Sequence, residues 1–219
     1  MGFYERFILP WVLHLACSSP AIAEQRKKVV PCARGTVLEV GMGTGLNLKY
    51  YTRATTQKVY GLEPSKPMRY RAQRIAVKTD LNIEIMDGIG EHIPLPDKSV
   101  DTIVLTFTLC TIPEPMVALR EMARVLAPDG KILFCEHGIA PEPKIAALQR
   151  RINPYWKRIA GGCNVHRDIL GLLEKAGFQI IERNEGYLQG TPKFAGYNYW
   201  GQAIKVTMST ADTKNPTTS

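Results

Sequence analysis

Thr36-Val37-Leu38-Glu39-Val40-Gly41-Met42-Gly43-Thr44-Gly45 decides the fold of this chain. An apolar run ends in an acid and passes directly into a glycine-rich turn, and Asn47-Leu48-Lys49-Tyr50-Tyr51 then reads as the start of a helix. Strand, glycine turn and helix is how a doubly wound α/β sheet builds a ligand site at the carboxyl edge of its strands. Glycine permits the sharp turn and lets the backbone approach a ligand with no Cβ in the way. The spacing is Gly-x-Gly-x-Gly, not the Gly-x-Gly-x-x-Gly that cradles a pyrophosphate. The loop also carries no basic residue, so it suits a ligand without phosphates.

Downstream of the loop, residues 57–65 read as a second strand that ends in the acid Glu63. A carboxylate at that point can accept hydrogen bonds from both hydroxyls of a ribose; the alternative is a helix cap or a surface acid. Residues 66–77 read as helix and 82–86 as a third strand, followed by Asp87-Gly88-Ile89-Gly90-Glu91. The turn-rich stretch 94–101 leads into strand four, 102–106. Residues 115–126 form a helix, Pro128-Asp129-Gly130 a sharp turn and 131–135 strand five. Residues 142–158 read as a basic amphipathic helix with Leu148, Ile152 and Trp156 as its apolar stripe, and Gly161-Gly162 break it. A further helix, 167–175, precedes two last strands, 179–182 and 199–206.

The 219 residues, 45% of them hydrophobic, allow one α/β domain with a full core. The five cysteines, Cys17, Cys32, Cys110, Cys135 and Cys163, are scattered; no pair has metal-ligand spacing, and the odd count argues against a disulfide framework. No metal is expected, and a reducing, cytoplasmic setting fits. The net charge is +8 with a pI near 9.3, and the basic residues gather around 26–28, 66–78 and 144–158. They read as solvated helix faces or as contacts to an anionic membrane surface. No nucleic-acid signature accompanies them. Residues 1–34, with Phe3, Tyr4, Phe7 and Trp11 as an aromatic stripe, read as a lid over the active site or a membrane-surface segment. A secretory signal cut near Ala21-Ile22-Ala23 is the third reading, opposed by Glu5, Pro10 and His14. Residues 35–206 read as the α/β domain, and the polar 207–219 read as a disordered tail.

Four motifs in order carry a resemblance: Leu38 to Gly45, the acid Glu63, Asp97-Lys98-Ser99-Val100-Asp101, and Arg120-Glu121-Met122-Ala123-Arg124-Val125-Leu126-Ala127-Pro128-Asp129-Gly130. Together they resemble class I S-adenosylmethionine (SAM) methyltransferases, near the branch of the ubiquinone/menaquinone C-methyltransferases. Phe134-Cys135-Glu136-His137, Gly161-Gly162-Cys163-Asn164 with Arg167, and Leu172 to Phe178 are similar to the methyltransferase-like 7 proteins, alkyl-thiol S-methyltransferases at lipid membranes. They are also similar to bacterial relatives, some labelled phospholipid N-methyltransferases. The resemblance implies a Rossmann-like seven-stranded sheet, mostly parallel with an antiparallel last strand and helices on both faces. It implies SAM as cofactor and S-adenosylhomocysteine as product.

The same resemblance implies site residues. Backbone at Gly41, Gly43 and Gly45 would pass the methionine end of SAM, with Glu39 near its ammonium group. Glu63 would bind the ribose, Ile89 would pack on adenine and the Gly90 N–H would bond a ring nitrogen. Ile89 departs from the Asp or Asn of many relatives, so the adenine amino group loses an acceptor unless Asp87 or Glu91 replaces it. Thr106 and Phe107 would border the methyl donor. His137, following strand five at the carboxyl edge, can deprotonate a thiol or amine; its alternative is a structural histidine, and His14 and His166 are its rivals. Cys110 lines the pocket or is a small buried apolar residue. Asn164 and Tyr197, with the aromatics Tyr187, Phe194 and Tyr199, are acceptor-side candidates. The acceptor is a small molecule, read first as an apolar thiol, with a lipid, amine or phenol at a membrane surface as the alternative. A non-catalytic SAM-binding subunit would have lost the glycine loop or the ribose acid, and both are intact.

Overall fold

The computed structural model describes residues 17–206; Phe3, Tyr4, Phe7, Trp11, His14 and the tail from residue 207 lie outside them. One seven-stranded sheet organises the described chain, in the order β3-β2-β1-β4-β5-β7-β6. Strands β1 (Gly35–Val40), β2 (Thr56–Leu62), β3 (Ile83–Met86), β4 (Val100–Thr106) and β5 (Leu126–His137) run parallel. Strand β7 (Tyr197–Lys205) is antiparallel both to β5 and to β6 (Phe178–Tyr187). The expected sheet is therefore the observed one. The chain winds outward from β1 through β2 to β3, then returns to place β4 on the other side of β1. That reversal opens a crevice beyond the carboxyl ends of β1 and β4, where open α/β sheets bind ligands.

The helices are α1 (Pro20–Val29), α2 (Lys66–Ala76), α3 (Pro115–Val125), α4 (Pro143–Ile159), α5 (Ile169–Lys175) and α6 (Lys193–Gly196). The central strands are apolar along their length because both faces of the sheet are covered. Alternation sorts their side chains into two cores. Leu38, Ile103, Leu105 and Phe134 pack with Ala118, Leu119 and Met122 of α3 and Leu173 of α5. Val37, Val104 and Leu133 pack on the other side with Val29 of α1 and with Ala72 and Ala76 of α2.

Three local readings are corrected. After the glycine loop there is a short 3-10 turn, Leu48–Tyr50, where the sequence suggested the start of a longer helix. Asn47 is fully buried and bonded to Glu39, and the Tyr51 hydroxyl reaches back to the same carboxylate, so the segment is pinned to the sheet. Strand β5 begins at Leu126, before the Pro128-Asp129-Gly130 turn. The register jumps there from Val100↔Leu126 to Thr102↔Lys131, so the turn is accommodated as an irregularity inside the strand. In α4 the inward face is Ala146, Gln149 and Asn153, while Leu148 is exposed. Gln149 accepts from Ala140 N–H and donates to the carbonyls of Gly138, Val165 and Phe194. Asn153 accepts from Val165 N–H and donates to the Asn164 side chain. These bonds fix the chain after β5 and the turn after α4 against one helix.

Candidate active site

The glycine loop turns as its composition requires. Gly41, Gly43 and Gly45 have φ of +69°, +61° and +82°, the left-handed region where a side chain is strained. Glu63, just beyond β2, is buried, and its two oxygens accept from Gly43 N–H and Ser65 N–H, both at 2.9 Å. The acid thus holds the loop and the strand end together. Burial raises its pKa, against the pull of those two N–H groups.

Behind the loop lies a buried polar network. Glu39 is 1% exposed; its oxygens accept from Asn47 Nδ2 at 2.9 Å and from the Tyr51 hydroxyl at 2.8 Å. Burial pushes its pKa up to about 7, offset in part by the Tyr51 hydrogen bond and the Arg26 charge. Arg26 reaches in from α1 and donates to Asn47 Oδ1 at 2.7 Å and to Thr106 Oγ1 at 3.0 Å. Its Nε is buried with no hydrogen-bond partner among the described residues. Sequence reasoning misses Arg26, Asn47 and Tyr51. Arg26 belongs to a basic cluster that reads as surface charge, and the only available signal is its place on the inward face of a short helix beside Ile22 and Val29.

A second group gathers at the carboxyl ends of β4 and β5. Phe107 leaves β4 with φ +57°, a conformation costly for a bulky residue, and its ring meets His137 edge-on at 4.9 Å. Glu136 is fully buried and accepts from three backbone N–H groups: Thr108 at 2.8 Å, Leu109 at 2.9 Å and Cys110 at 3.1 Å. Asn164 donates to the Cys110 carbonyl from its backbone N–H and its side chain, which brings the turn after α4 over the turn after β4. Cys163 Sγ then stands 3.7 Å from Cys110 Sγ and 3.8 Å from His137 Nδ1. The Cys110 and His137 contacts hold the Cys163 thiol below its usual range, while the same contact and burial push Cys110 up. Sequence spacing gives no sign of Cys163, because the three side chains sit on three separate segments.

Of the other predicted residues, Thr106 belongs to the Arg26 network. Ile89 is 48% exposed, and both oxygens of Asp87 are engaged by Arg69. Glu91 accepts from Glu114 N–H. A Cβ on Gly90 would crowd Ile112 and Ala118. Tyr197 packs between Tyr187 and Tyr199 in an aromatic stack, and Phe194 packs on Trp156. His166 lines a cavity of about 260 Å³ together with Asn164, Arg167, Asp168 and Lys175.

Residues 38–134 match the family model described as a methyltransferase domain. The rat protein named thiol S-methyltransferase TMT1B is 34% identical over 151 residues, 67% of this chain and 61% of that protein. The human protein of the same name is 33% identical over 175 residues, 77% of this chain and 70% of that protein. The chain belongs to the class I SAM-dependent methyltransferases. A crystal structure of a SAM-dependent methyltransferase from Aquifex aeolicus shares the fold, with a TM-score of 0.64 at 24% identity, covering 90% of this chain and 98% of that one. The methyltransferase uses SAM as cofactor. Its described helices include none long and apolar enough to cross a membrane.

Proposed function

We propose that this methyltransferase moves the methyl group of SAM to the sulfur of a small apolar thiol. The observation that carries the reading is the make-up of the acceptor side. Two cysteine sulfurs, an imidazole and a phenyl ring meet there, and the neighbouring carboxylate, Glu136, is already engaged by three backbone N–H groups. Among the described residues a protonated amine would find no free carboxylate in that cluster, and it must lose its proton before it can attack. A thiol ionises at a pKa of about 8.5, so modest help makes the stronger nucleophile. The two relatives named thiol S-methyltransferases support the same acceptor. This chain spans 61% of the rat protein's length, so the activity is inferred from the site as well as from the name.

The residues fit the cofactor. A Cβ built on Gly43 meets nothing within 4 Å, so the loop leaves room for a ligand that lies on it. Glu63 uses one lone pair per oxygen on the protein and keeps the others for ribose hydroxyls. The orphaned Arg26 Nε is a charged donor for a carboxylate, and Glu39 stands in the same network as a partner for an ammonium group. Ile89 offers apolar surface to adenine, and Gly90 its N–H. When bound, SAM supplies an electrophilic methyl on a sulfonium sulfur. Thr106 and Phe107 border that end; the Phe107 ring excludes water, and His137 acts on the acceptor sulfur. The chemistry otherwise asks for in-line positioning in a dry site.

The test is competition: equal amounts of an alkyl thiol, a phenol and a primary amine, with methylated products resolved by mass. Thioether as the main product is expected; methylated amine or phenol would overturn the acceptor while leaving the methyltransferase. A second reading, a lipid acceptor at a membrane surface, is favoured by α4, where exposed Leu148, Tyr155 and Ile159 stand among Lys144, Arg150, Arg151, Lys157 and Arg158. Sedimentation with anionic liposomes and assay of lipid acceptors separates the two.

A further inference from the structure

Cys110, His137 and Cys163 come from the turn after β4, the end of β5 and the turn after α4, and their ligand atoms all lie within 4.8 Å of one another. The two sulfurs are 3.7 Å apart, and Cys163 Sγ is 3.8 Å from His137 Nδ1. Zinc–sulfur bonds of about 2.3 Å and zinc–nitrogen bonds of about 2.0 Å place two sulfurs about 3.8 Å apart on a tetrahedral ion, and a sulfur and a nitrogen about 3.5 Å apart. The two observed distances are close to two edges of one face of such a tetrahedron, and the third pair of ligand atoms lies within 4.8 Å. A disulfide would need the sulfurs to close to about 2.05 Å.

Each ligand is held by the fold independently of any ion. Glu136 accepts the Cys110 N–H, and Asn164 donates twice to the Cys110 carbonyl. His137 ends a strand paired to β7 on its far side. The Cys163 turn is tied to α4 through Asn153 and Gln149. Preorganisation of this kind is what a metal site requires of its protein. The donor set, two thiolates and one imidazole, is soft enough to choose zinc over magnesium or calcium. Among the described residues the three protein ligands leave one position open, the arrangement of a catalytic rather than a structural zinc site.

We propose that Cys110, His137 and Cys163 bind one Zn²⁺, and that the open fourth position takes the sulfur of the substrate thiol. This deepens the thiol reading given above and rests on it. Two thiolates neutralise the ion, and coordination of the substrate releases its S–H proton to solvent, leaving one net negative charge on the site. The substrate sulfur donates an electron pair to the methyl carbon, a new S–C bond forms, and the donor's C–S bond breaks with its pair returning to the donor sulfur. Sulfonium and thiolate charges annihilate in that step. The thioether formed is neutral and a weak ligand, so it leaves. His137 is then a metal ligand and not the proton acceptor.

The test uses the full chain. Metal analysis is expected to give one zinc per chain, lost in Cys163→Ser and in His137→Ala while both variants still bind S-adenosylhomocysteine and so are folded. Cys32→Ser, just beyond the end of α1, is expected to keep the metal. With Co²⁺ in place of zinc, the spectrum is expected to show sulfur-to-cobalt charge transfer, and 1-hexanethiol without methyl donor should shift the d–d bands, whereas hexyl methyl sulfide should not. A metal-free chain that methylates hexanethiol at full rate would overturn the proposal. So would a cobalt spectrum indifferent to the thiol, or loss of the metal in Cys17→Ser, which would mean a closed four-ligand site. A zinc protein that binds hexanethiol yet methylates an amine in its place would uphold the metal site and sink the acceptor assignment.

Discussion

Replacing Glu39 with glutamine should change the pH dependence of stability in a predictable direction. In the folded protein this carboxyl has a pKa near 7, raised mainly by burial, against an ordinary value of 4.5. A raised acid pKa means that the folded state holds a proton the unfolded chain has already released. The contribution to stability is therefore full below about pH 4.5 and is lost as pH rises through about 7. Between pH 5 and 8 the loss integrates to about 2–3 kcal/mol, or ~5–10 °C in melting temperature for a chain of this size. The substituted glutamine would keep an acceptor for Asn47 Nδ2 and offer an N–H to the Tyr51 oxygen, so the fold is preserved. Denaturant unfolding of the ligand-free protein and of Glu39→Gln at both pH values isolates the contribution of this carboxyl, because other titrating groups cancel in the difference. The variant should gain about 2–3 kcal/mol on wild type between pH 5 and pH 8. Parallel pH profiles would refute the buried-acid account. With S-adenosylhomocysteine added near pH 6.5, wild type should release a proton on binding, read as a buffer-dependent calorimetric heat.

Glu63→Ala should weaken S-adenosylhomocysteine at least about tenfold by calorimetry, since charge-assisted hydrogen bonds are worth roughly 1.5–3 kcal/mol each; unchanged affinity in a folded variant would remove Glu63 from the ribose site. Gly43→Ala should fold with a loss of only about 1–2 kcal/mol, because the φ is left-handed but the space is open, while ligand affinity falls at least about tenfold; normal binding would mean that the ligand does not lie on the loop. Glu136→Gln should turn an amide N–H toward a backbone donor and cost about 2–3 kcal/mol in a thermal melt. Methyl transfer should fall with it, and an unshifted melt would deny Glu136 its anchoring role.

Much of the fold can be read from the chain. Apolar runs and a glycine turn after an acid leave few alternatives to a doubly wound sheet, and Glu63 sits where the pattern requires. What escapes is whatever depends on polar groups turned inward. In α4 the apolar spacing of Leu148, Ile152 and Trp156 suggests one face, but backbone groups after β5 need partners, and Gln149 and Asn153 supply them from another. Arg26 escapes for the same reason: buried charge looks like surface charge until its partners, Asn47 and Thr106, are brought from 21 and 80 residues away. The Cys110–His137–Cys163 cluster leaves no local trace because each member lies on a different segment of the chain.

Glu136 makes the turn after β4 a cast of the core. A carboxylate rooted in the central sheet dictates where Thr108, Leu109 and Cys110 place their backbone. If the acceptor binds on this side, as proposed, it would meet a wall already set, with little freedom to mould it. On the proposed reading, variation in acceptor would have to arise outside this turn, for instance in the turn after α4, while the floor beneath stays constant. Efforts to change the enzyme's scope by mutation would then do best to leave β4 and β5 alone and to vary the turn after α4.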